Sequence, residues 1–444
     1  MKTVVYLVDQ KKRDLPGSVL VKYHLEQLGV KCILEPVQAW GAAVGYHKPD
    51  MVILSNLFND GYVQYSKDLH AVGVKVGILP NEGAVFDAEW QRYRAFEKYP
   101  EAFVDRFISW NKLQADLTYE NLKATNPDIV CDVTGCPRFD FHFPPLANAR
   151  EDERPTALIC TMFGRAHYFA KDKKEAEDWL EKYVGTISAF DDWWGMIEKD
   201  YRYRESFMEA MDEFVGSTDL RLILKPHPNE PSDIYEEWHT KLSSSDQSRV
   251  QLEPLRRIDE LLSECDVLVT CNTCTTAVEA WMRRIPVMEL TFTREVPFYF
   301  HELSQWNPQF DDWQAAAAEM SKLANGAAQE EVLWTGRDDH LNAWYGNPTG
   351  DCAIKTAKAI AECVQHADPD YSKLPFSYRR RGAKLYGMHK IKKPYGWHPL
   401  TPLKGKFMPR KYGNKAKIAN RAMTTAEEVF WDGHIRAKFA AQTF

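Results

Sequence analysis

The sequence predicts an α/β protein of two Rossmann-like halves, and three observations carry that reading. Short apolar runs alternate with stretches of helical spacing through residues 1–145. A polar, charged, Pro-flanked segment from Pro144 to Pro155 then reads as a linker. A second series of the same kind opens at Thr156 and occupies residues 156–365, leaving 366–444 as a basic, aromatic extension. Repeated βα units bury a mostly parallel sheet between helices. A chain of 444 residues with 44% hydrophobic content carries enough apolar surface for two such cores.

The elements follow in order. Thr3–Val8 reads as a strand and Ser18–Leu28 as a helix stopped by Gly29. Cys32–Leu34 and Met51–Leu54 are short buried strands, Asp68–Val72 is a helix, and Lys75–Leu79 is a strand closed by Pro80. Phe107–Trp110 and Ile129–Val133 complete the first set. In the second, Thr156–Thr161 is a strand, and Glu175–Phe214 is helical. Leu220–Leu224 is a strand running into Lys225-Pro226-His227-Pro228. Ile258–Cys265 and Thr275–Arg284 are helices on either side of the strand Val267–Thr270, and Pro286–Leu290 is a last strand. Ligands of open α/β sheets bind at the carboxyl ends of the strands, so the cleft between two such units is the expected site.

Composition removes several classes. The opening residues turn charged too soon for an export signal, and no apolar run approaches the roughly 20 residues that span a bilayer. Nine scattered cysteines point to reduced thiols and an expected cytoplasmic location. There is no Gly-x-Gly-x-x-Gly after the first strand, no Walker loop and no His-Glu-x-x-His, which argues against nicotinamide enzymes, P-loop NTPases and zinc proteases.

The sharpest local signal is Lys225-Pro226-His227-Pro228-Asn229-Glu230 at a strand end. Two prolines clamp the backbone around one imidazole, and Pro228 cannot donate to a sheet. A rigid His227 beside Lys225 suits the phosphate of a nucleotide leaving group, with the imidazole donating as charge builds there. A plain surface turn is the alternative. The second signal is Cys271-Asn272-Thr273-Cys274-Thr275-Thr276 between a strand and a helix, with Glu279 one turn inside. Helix starts attract anions, and Thr275 or Thr276 would cap this one; an ordinary cap is the bland reading. Cys271 and Cys274 also form a C-x-x-C, the spacing of a redox dithiol, without the second pair of a structural zinc site.

In the first half, Glu82 of Pro80-Asn81-Glu82-Gly83 follows a strand directly, placing a carboxylate to act as base on an acceptor hydroxyl or as a nucleophile. Asp87 is a second candidate, and a turn carboxylate bonded to backbone is the alternative for both. Gly164 and Arg165 follow the first strand of the second half, where donor contacts belong, and Arg138 and Asp140 lie in the turn that closes the first half.

Taken together, Gly135-Cys136-Pro137-Arg138-Phe139-Asp140, Lys225-Pro226-His227-Pro228 and the run from Asp266 through Asn272, Thr273, Thr275 and Thr276 to Glu279-Ala280 resemble bacterial surface-carbohydrate transferases. These are enzymes of GT-B fold, with two Rossmann-like domains facing a central cleft. The nearest resemblance is to capsule and O-antigen β-Kdo transferases that use CMP-Kdo, over residues 1–365. It implies donor-phosphate contacts by His227 and Pro228, hydroxyl contacts by Thr273, Thr275 and Thr276, and a glycan acceptor. Metal-independent catalysis with no cofactor is the GT-B expectation, and no Asp-x-Asp stands out as a metal ligand. Cys271 and Cys274 depart from the small hydroxyl residues expected there. His-Pro signatures also occur in CMP-sialic acid and CDP-glycerol transferases, and nucleotide-sugar epimerases share the fold. Another nucleotide donor, a UDP-sugar included, an epimerase and a non-catalytic carbohydrate-binding scaffold are therefore the alternatives.

Charge is uneven. Tyr371–Ala426 holds fifteen Lys or Arg and no acid, leaving −22 for the rest of a chain whose net charge is −7. Cations interleaved with Tyr378, Tyr386, Tyr395, Trp397, Phe407 and Tyr412 suit an anionic membrane surface, and a peripheral position would meet a lipid-linked acceptor. The acidic remainder argues against nucleic acid. Folding of the tail back on that acidic body is the other reading.

Overall fold

The computed structural model describes the chain apart from residues 144–153, 171–172, 181–182, 186–187, 272–273, 293–300, 392–422, 424 and 440–444. Most of the expected linker, and Asn272 and Thr273, lie outside the described residues. Two compact units emerge: Met1–Val85 with Gln91–Asp140 and Asn342–Phe444, and Phe86–Trp90 with Phe141–Leu341.

The first unit alternates β1 (Thr3–Val8), α1 (Lys11–Gln27), β2 (Lys31–Pro36), α2 (Trp40–His47), β3 (Met51–Leu54), α3 (Asp60–Val72), β4 (Lys75–Ile78), α4 (Ala88–Arg94), β5 (Arg106–Ser109), α5 (Lys112–Leu122) and β6 (Val130–Val133). The division between units falls within α4. The strands form one parallel sheet in the order β2-β1-β3-β4-β5-β6. Its central strands are buried along their whole length, as Met51-Val52-Ile53-Leu54 shows, so apolar runs replace alternation. Local chemistry sets the helix ends. Asn59 and Asn111 accept the N–H of Tyr62 and Gln114 at the starts of α3 and α5, and Gly73 ends α3 at φ +86°.

The second unit contains β7 (Thr156–Cys160), α6 (Lys173–Leu180), α7 (Trp193–Ser217), β8 (Arg221–Lys225), α8 (Asp233–Lys241), α9 (Ser244–Gln247), β9 (Val250–Leu252), α10 (Ile258–Leu261), β10 (Val267–Cys271), α11 (Thr275–Met282), β11 (Val287–Leu290), α12 (His301–Ser304), β12 (Gln309–Phe310) and α13 (Trp313–Ala324). Counted from its own first strand, this parallel sheet has the order 3-2-1-4-5-6 of dinucleotide-binding folds. Phe207, Met211 and Phe214 of α7 and Met320 and Leu323 of α13 join Ile159, Leu224 and Val269 in its core. Each such side chain contributes about 1.5–3 kcal/mol on burial.

The second domain was expected to run to residue 365, and the structure corrects this. The boundary falls within α14 (Glu331–Tyr345), and α15 (Cys352–Gln365) belongs to the first unit. The reason is a buried face: Ala353, Thr356, Ala357, Ile360 and Val364 are all covered. Thr356 bonds Thr134 at 3.0 Å, and Glu362 accepts from Arg106 at 3.0 Å. The extension expected as a separate 366–444 region also packs on this unit where it is described. α16 (Phe376–Lys390) lies against α2, and Tyr378, counted above among interfacial aromatics, is buried beside Trp40 and Tyr65 and donates to Asp68 at 2.6 Å. α17 (Thr425–Phe439) meets α1 through Lys11–Glu427 and Lys22–Glu428 ion pairs at 2.6 and 2.9 Å.

Candidate functional site

In the second unit the strand order reverses between β7 and β10, and ligands of such sheets sit beyond the carboxyl ends at that point. Three segments meet there. β8 ends at Lys225, and Pro226 and Pro228 hold His227 in a non-helical turn. The backbone N–H of His227 donates to Thr161 Oγ1 at 3.2 Å, tying this turn to the end of β7. A Cβ on Gly164 would lie 3.4 Å from Asn229 Cβ and 3.8 Å from His227 Nδ1, so the loop after β7 runs alongside the His227 turn at ordinary contact distance. His227 Nδ1 accepts the N–H of Asn229 at 3.2 Å, which leaves Nε2 as the proton-bearing nitrogen of the neutral ring.

Glu230 organises this arrangement, a role the sequence did not disclose. Its half-buried carboxylate accepts from Thr161 Oγ1 at 2.8 Å, the Phe163 N–H at 2.6 Å and Tyr235 Oη at 2.5 Å. Burial pushes its pKa up, against the lowering effect of those hydrogen bonds. The available signal was an acid three residues beyond His227 with a tyrosine following in the next helix.

The third segment is the start of α11. Cys274 rather than either threonine occupies the cap position, without a side-chain cap bond, so the expected capping by Thr275 or Thr276 is not what forms. Thr275 is the first helical residue, and Thr276 Oγ1 instead lies 3.1 Å from Cys274 Sγ. Burial pushes the thiols of Cys271 and Cys274 up, the opposite of an activated dithiol, and the redox reading of the C-x-x-C has no support here.

Several expected contacts resolve into framework. Lys225 is buried and its Nζ donates to the Arg256 carbonyl at 2.6 Å, bracing the loop after β9. Arg165 grips Asp200 of α7 through Nε and Nη2 at 2.8 and 2.9 Å. Glu279 is buried and accepts from His142 Nε2 at 2.9 Å, while Arg283 donates to His142 Nδ1 at 2.8 Å. Lys225 and Arg165 follow strand ends and Glu279 lies one turn inside α11, positions that suit donor contacts; their tertiary partners are not visible in the sequence.

In the first unit the reversal lies between β1 and β3. Glu82 follows β4, the next strand beyond β3, beside a small cavity also lined by Ser55, Pro80, Arg94 and Gln114. Its loop is clamped by Trp110, whose Nε1 donates to the Pro80 carbonyl at 3.0 Å, and a Cβ on Gly83 would sit 2.3 Å from the Trp110 ring. Glu82 pairs with Arg13 at 3.0 Å and Arg94 at 2.7 Å, two partners the sequence reading missed. Arg13 follows β1 within a Lys11-Lys12-Arg13 run, a signal that was present. The side chain is 55% exposed, yet the protein crowded around it opposes the charge; Arg94, Arg13 and Arg138 outweigh that and hold the carboxyl at about 2. A carboxylate that acidic is a weak proton acceptor.

Arg138 stacks over Trp110 and Phe139 at 5.5 and 5.0 Å, and its Nε has no hydrogen-bond partner among the described residues. Asp140 was expected to line the cleft, and the structure corrects this. It is fully buried, and its two oxygens accept the N–H groups of Cys352 and Ala353 at 3.0 and 2.7 Å, fastening the first turn of α15. Burial raises its pKa to about 7 despite those bonds. Asp87 accepts the Trp90 N–H at 2.8 Å and caps α4, which is the backbone-bonded alternative.

Each of the two units is a doubly wound, parallel α/β fold. No family model and no curated protein matches the chain. Among solved structures it is similar to MnaA of S. aureus bound to UDP, at 14% identity over 85% of this chain and 98% of that one, TM-score 0.49. A putative UDP-N-acetylglucosamine 2-epimerase of Listeria monocytogenes is 14% identical over 83% and 98%, TM-score 0.48. The wall teichoic acid polymerase TagF is 10% identical over 82% and 88%, TM-score 0.45.

Proposed function

We propose that the chain is a nucleotide-sugar-dependent glycosyltransferase of bacterial surface-polysaccharide assembly, with CMP-Kdo as the donor that its sequence motifs favour. The observation that carries the reading is His227, held at the strand-order reversal with Nε2 as its donor. A donor N–H set in place before reaction stabilises the charge that develops on a departing nucleotide phosphate. Glu230 and Thr161 act as positioning residues, holding the loops after β7 and β8 in register. Glu82 serves by ordering Arg13 and Arg94 rather than by taking a proton.

Incubation with CMP-, CDP-, UDP- and GDP-activated donors tests this. Nucleotide release that depends on an added glycan acceptor, with extension of that acceptor, is expected. Isomerisation of the sugar without any acceptor would assign the chain to the epimerases instead. Among the described residues no helix is long and apolar enough to cross a membrane. The cations of Tyr371–Ala426 support a peripheral association with anionic lipid, although residues 392–422 lie outside the description. Salt-sensitive sedimentation with phosphatidylglycerol vesicles is expected, and full recovery in the supernatant at low salt would remove it.

A further inference from the structure

Away from the loops described above, β2, α2 and α16 bring a carboxylate and two imidazoles together. Glu35 Oε1 lies 2.8 Å from His47 Nε2 and 3.0 Å from His389 Nε2, and the ligand atoms of all three fall within 4.8 Å of one another. We propose that Glu35, His47 and His389 form a binding site for a divalent transition-metal ion of the zinc class, which fastens the end of α16 to α2 and β2.

The donor set is the first argument. Two imidazole nitrogens and one carboxylate oxygen are ligands that zinc takes, whereas calcium and magnesium require mostly oxygen. Bond lengths of about 2.0–2.1 Å in a tetrahedral site put ligand atoms roughly 3.3 Å apart, so Glu35 Oε1 has to draw back from each imidazole nitrogen by only tenths of an ångström, and the two nitrogens, within 4.8 Å of one another, settle to the same spacing. A carboxylate with two neutral imidazoles leaves a site charge of −1, favourable to a divalent cation.

Rigidity is the second argument. α2 and α16 touch backbone to backbone: a Cβ on Gly45 would lie 2.1 Å from the Tyr378 carbonyl oxygen, and one on Gly382 would lie 2.5 Å from the Gly45 carbonyl carbon. Contact that close fixes the register of the two helices, and with it the separation of His47 and His389. Tyr46 supports the second ligand, its ring edge-on to His389 at 5.3 Å.

Access is the third. The Glu35 and His47 side chains are 5% and 11% exposed, while that of His389 is 40% exposed, so the site is walled on two sides and open on one. An ion enters past His389, and a water completes a fourth position. The consequence is a clip on the last turn of α16, made by a residue, His389, that stands three positions before the undescribed stretch begins.

The test uses the metal-free full chain titrated with zinc against a chromophoric chelator and with cobalt followed by visible absorption. Wild type is expected to bind one equivalent more than His389→Gln and than the double variant His47→Gln/His389→Gln. The cobalt bands lost in the variants should be ligand-field bands without thiolate charge transfer, which separates this site from the nine cysteines. Zinc, but not magnesium, should raise the melting temperature of wild type more than that of His389→Gln, whose exposed side chain makes it a fold-neutral change. Equal stoichiometry in wild type and both variants, or lost bands of thiolate character, would overturn the proposal.

Discussion

His227 accepts the backbone N–H of Asn229 on Nδ1 at 3.2 Å, so the neutral imidazole presents a proton on Nε2. This contact sets the tautomer, and on the proposed function Nε2 is then a donor toward negative charge rather than a base.

His227→Ala therefore should lower transfer on the order of 10²-fold or more while leaving folding almost unchanged, because the contact strengthens as charge develops on the leaving group. The comparison is kcat with saturating donor against the melting temperature of the same preparation. A variant that turns over normally would remove His227 from the chemistry.

Glu230→Ala should behave differently. Three donors, from Thr161, Phe163 and Tyr235, lose their acceptor in a buried setting. Each buried unsatisfied donor costs about 1–3 kcal/mol. Denaturant unfolding should show a loss of that size or greater, with activity falling in parallel. Unchanged stability would mean that the loops after β7 and β8 are held by other contacts.

The Asp140 carboxyl, raised to about 7 by burial, predicts a pH effect of definite sign. Between its ordinary value near 4 and 7 the folded state keeps a proton that the unfolded state releases, so this group's contribution falls as pH rises. The slope is at most about 1.4 kcal/mol per pH unit. Unfolding free energies at pH 4.5 to 7.5 for wild type and Asp140→Asn check this: the decline specific to wild type should flatten in the variant. A wild-type contribution that grows with pH would contradict it.

The fold was largely legible because buried parallel strands announce themselves as apolar runs. Met51-Val52-Ile53-Leu54 and Val267-Leu268-Val269-Thr270 are found where expected. β9 and β12 were missed, being three and two residues long and lacking such a run. The end of the second domain was misplaced for a tertiary reason. Nothing local in Cys352–Gln365 says that its apolar face covers β4 and β5 of the first unit or that Asp140 receives its first turn. The candidate site divides in the same way. The Pro226-His227-Pro228 turn is a local signal that follows β8 directly, whereas Arg165, Glu279 and Lys225 depend on Asp200, His142 and the Arg256 carbonyl, which are distant in sequence.

Glu82 gives a pH prediction of opposite sign. Arg94 and Arg13 hold its carboxyl at about 2, although burial acts against them. Its ion pairs then persist through pH 4 to 8, and their contribution disappears only as pH falls from about 4.5 toward 2. The stability difference between wild type and Glu82→Gln should be flat above pH 5 and should narrow below 4. With the side chain 55% exposed, solvent screening keeps the difference small. A difference that opens or closes between pH 5 and 7 would show a carboxyl of ordinary or raised pKa.

The most direct test of the nucleotide-site assignment is hydrogen exchange of the full chain with and without CMP, CDP, UDP and GDP. At least one nucleotide should slow exchange in Thr161–Gly164, His227–Glu230 and the first turn of α11 from Thr275, the three segments that meet where the strand order reverses. Protection confined to the loops around Arg13, Glu82 and Arg138, or none with any nucleotide, would contradict the account.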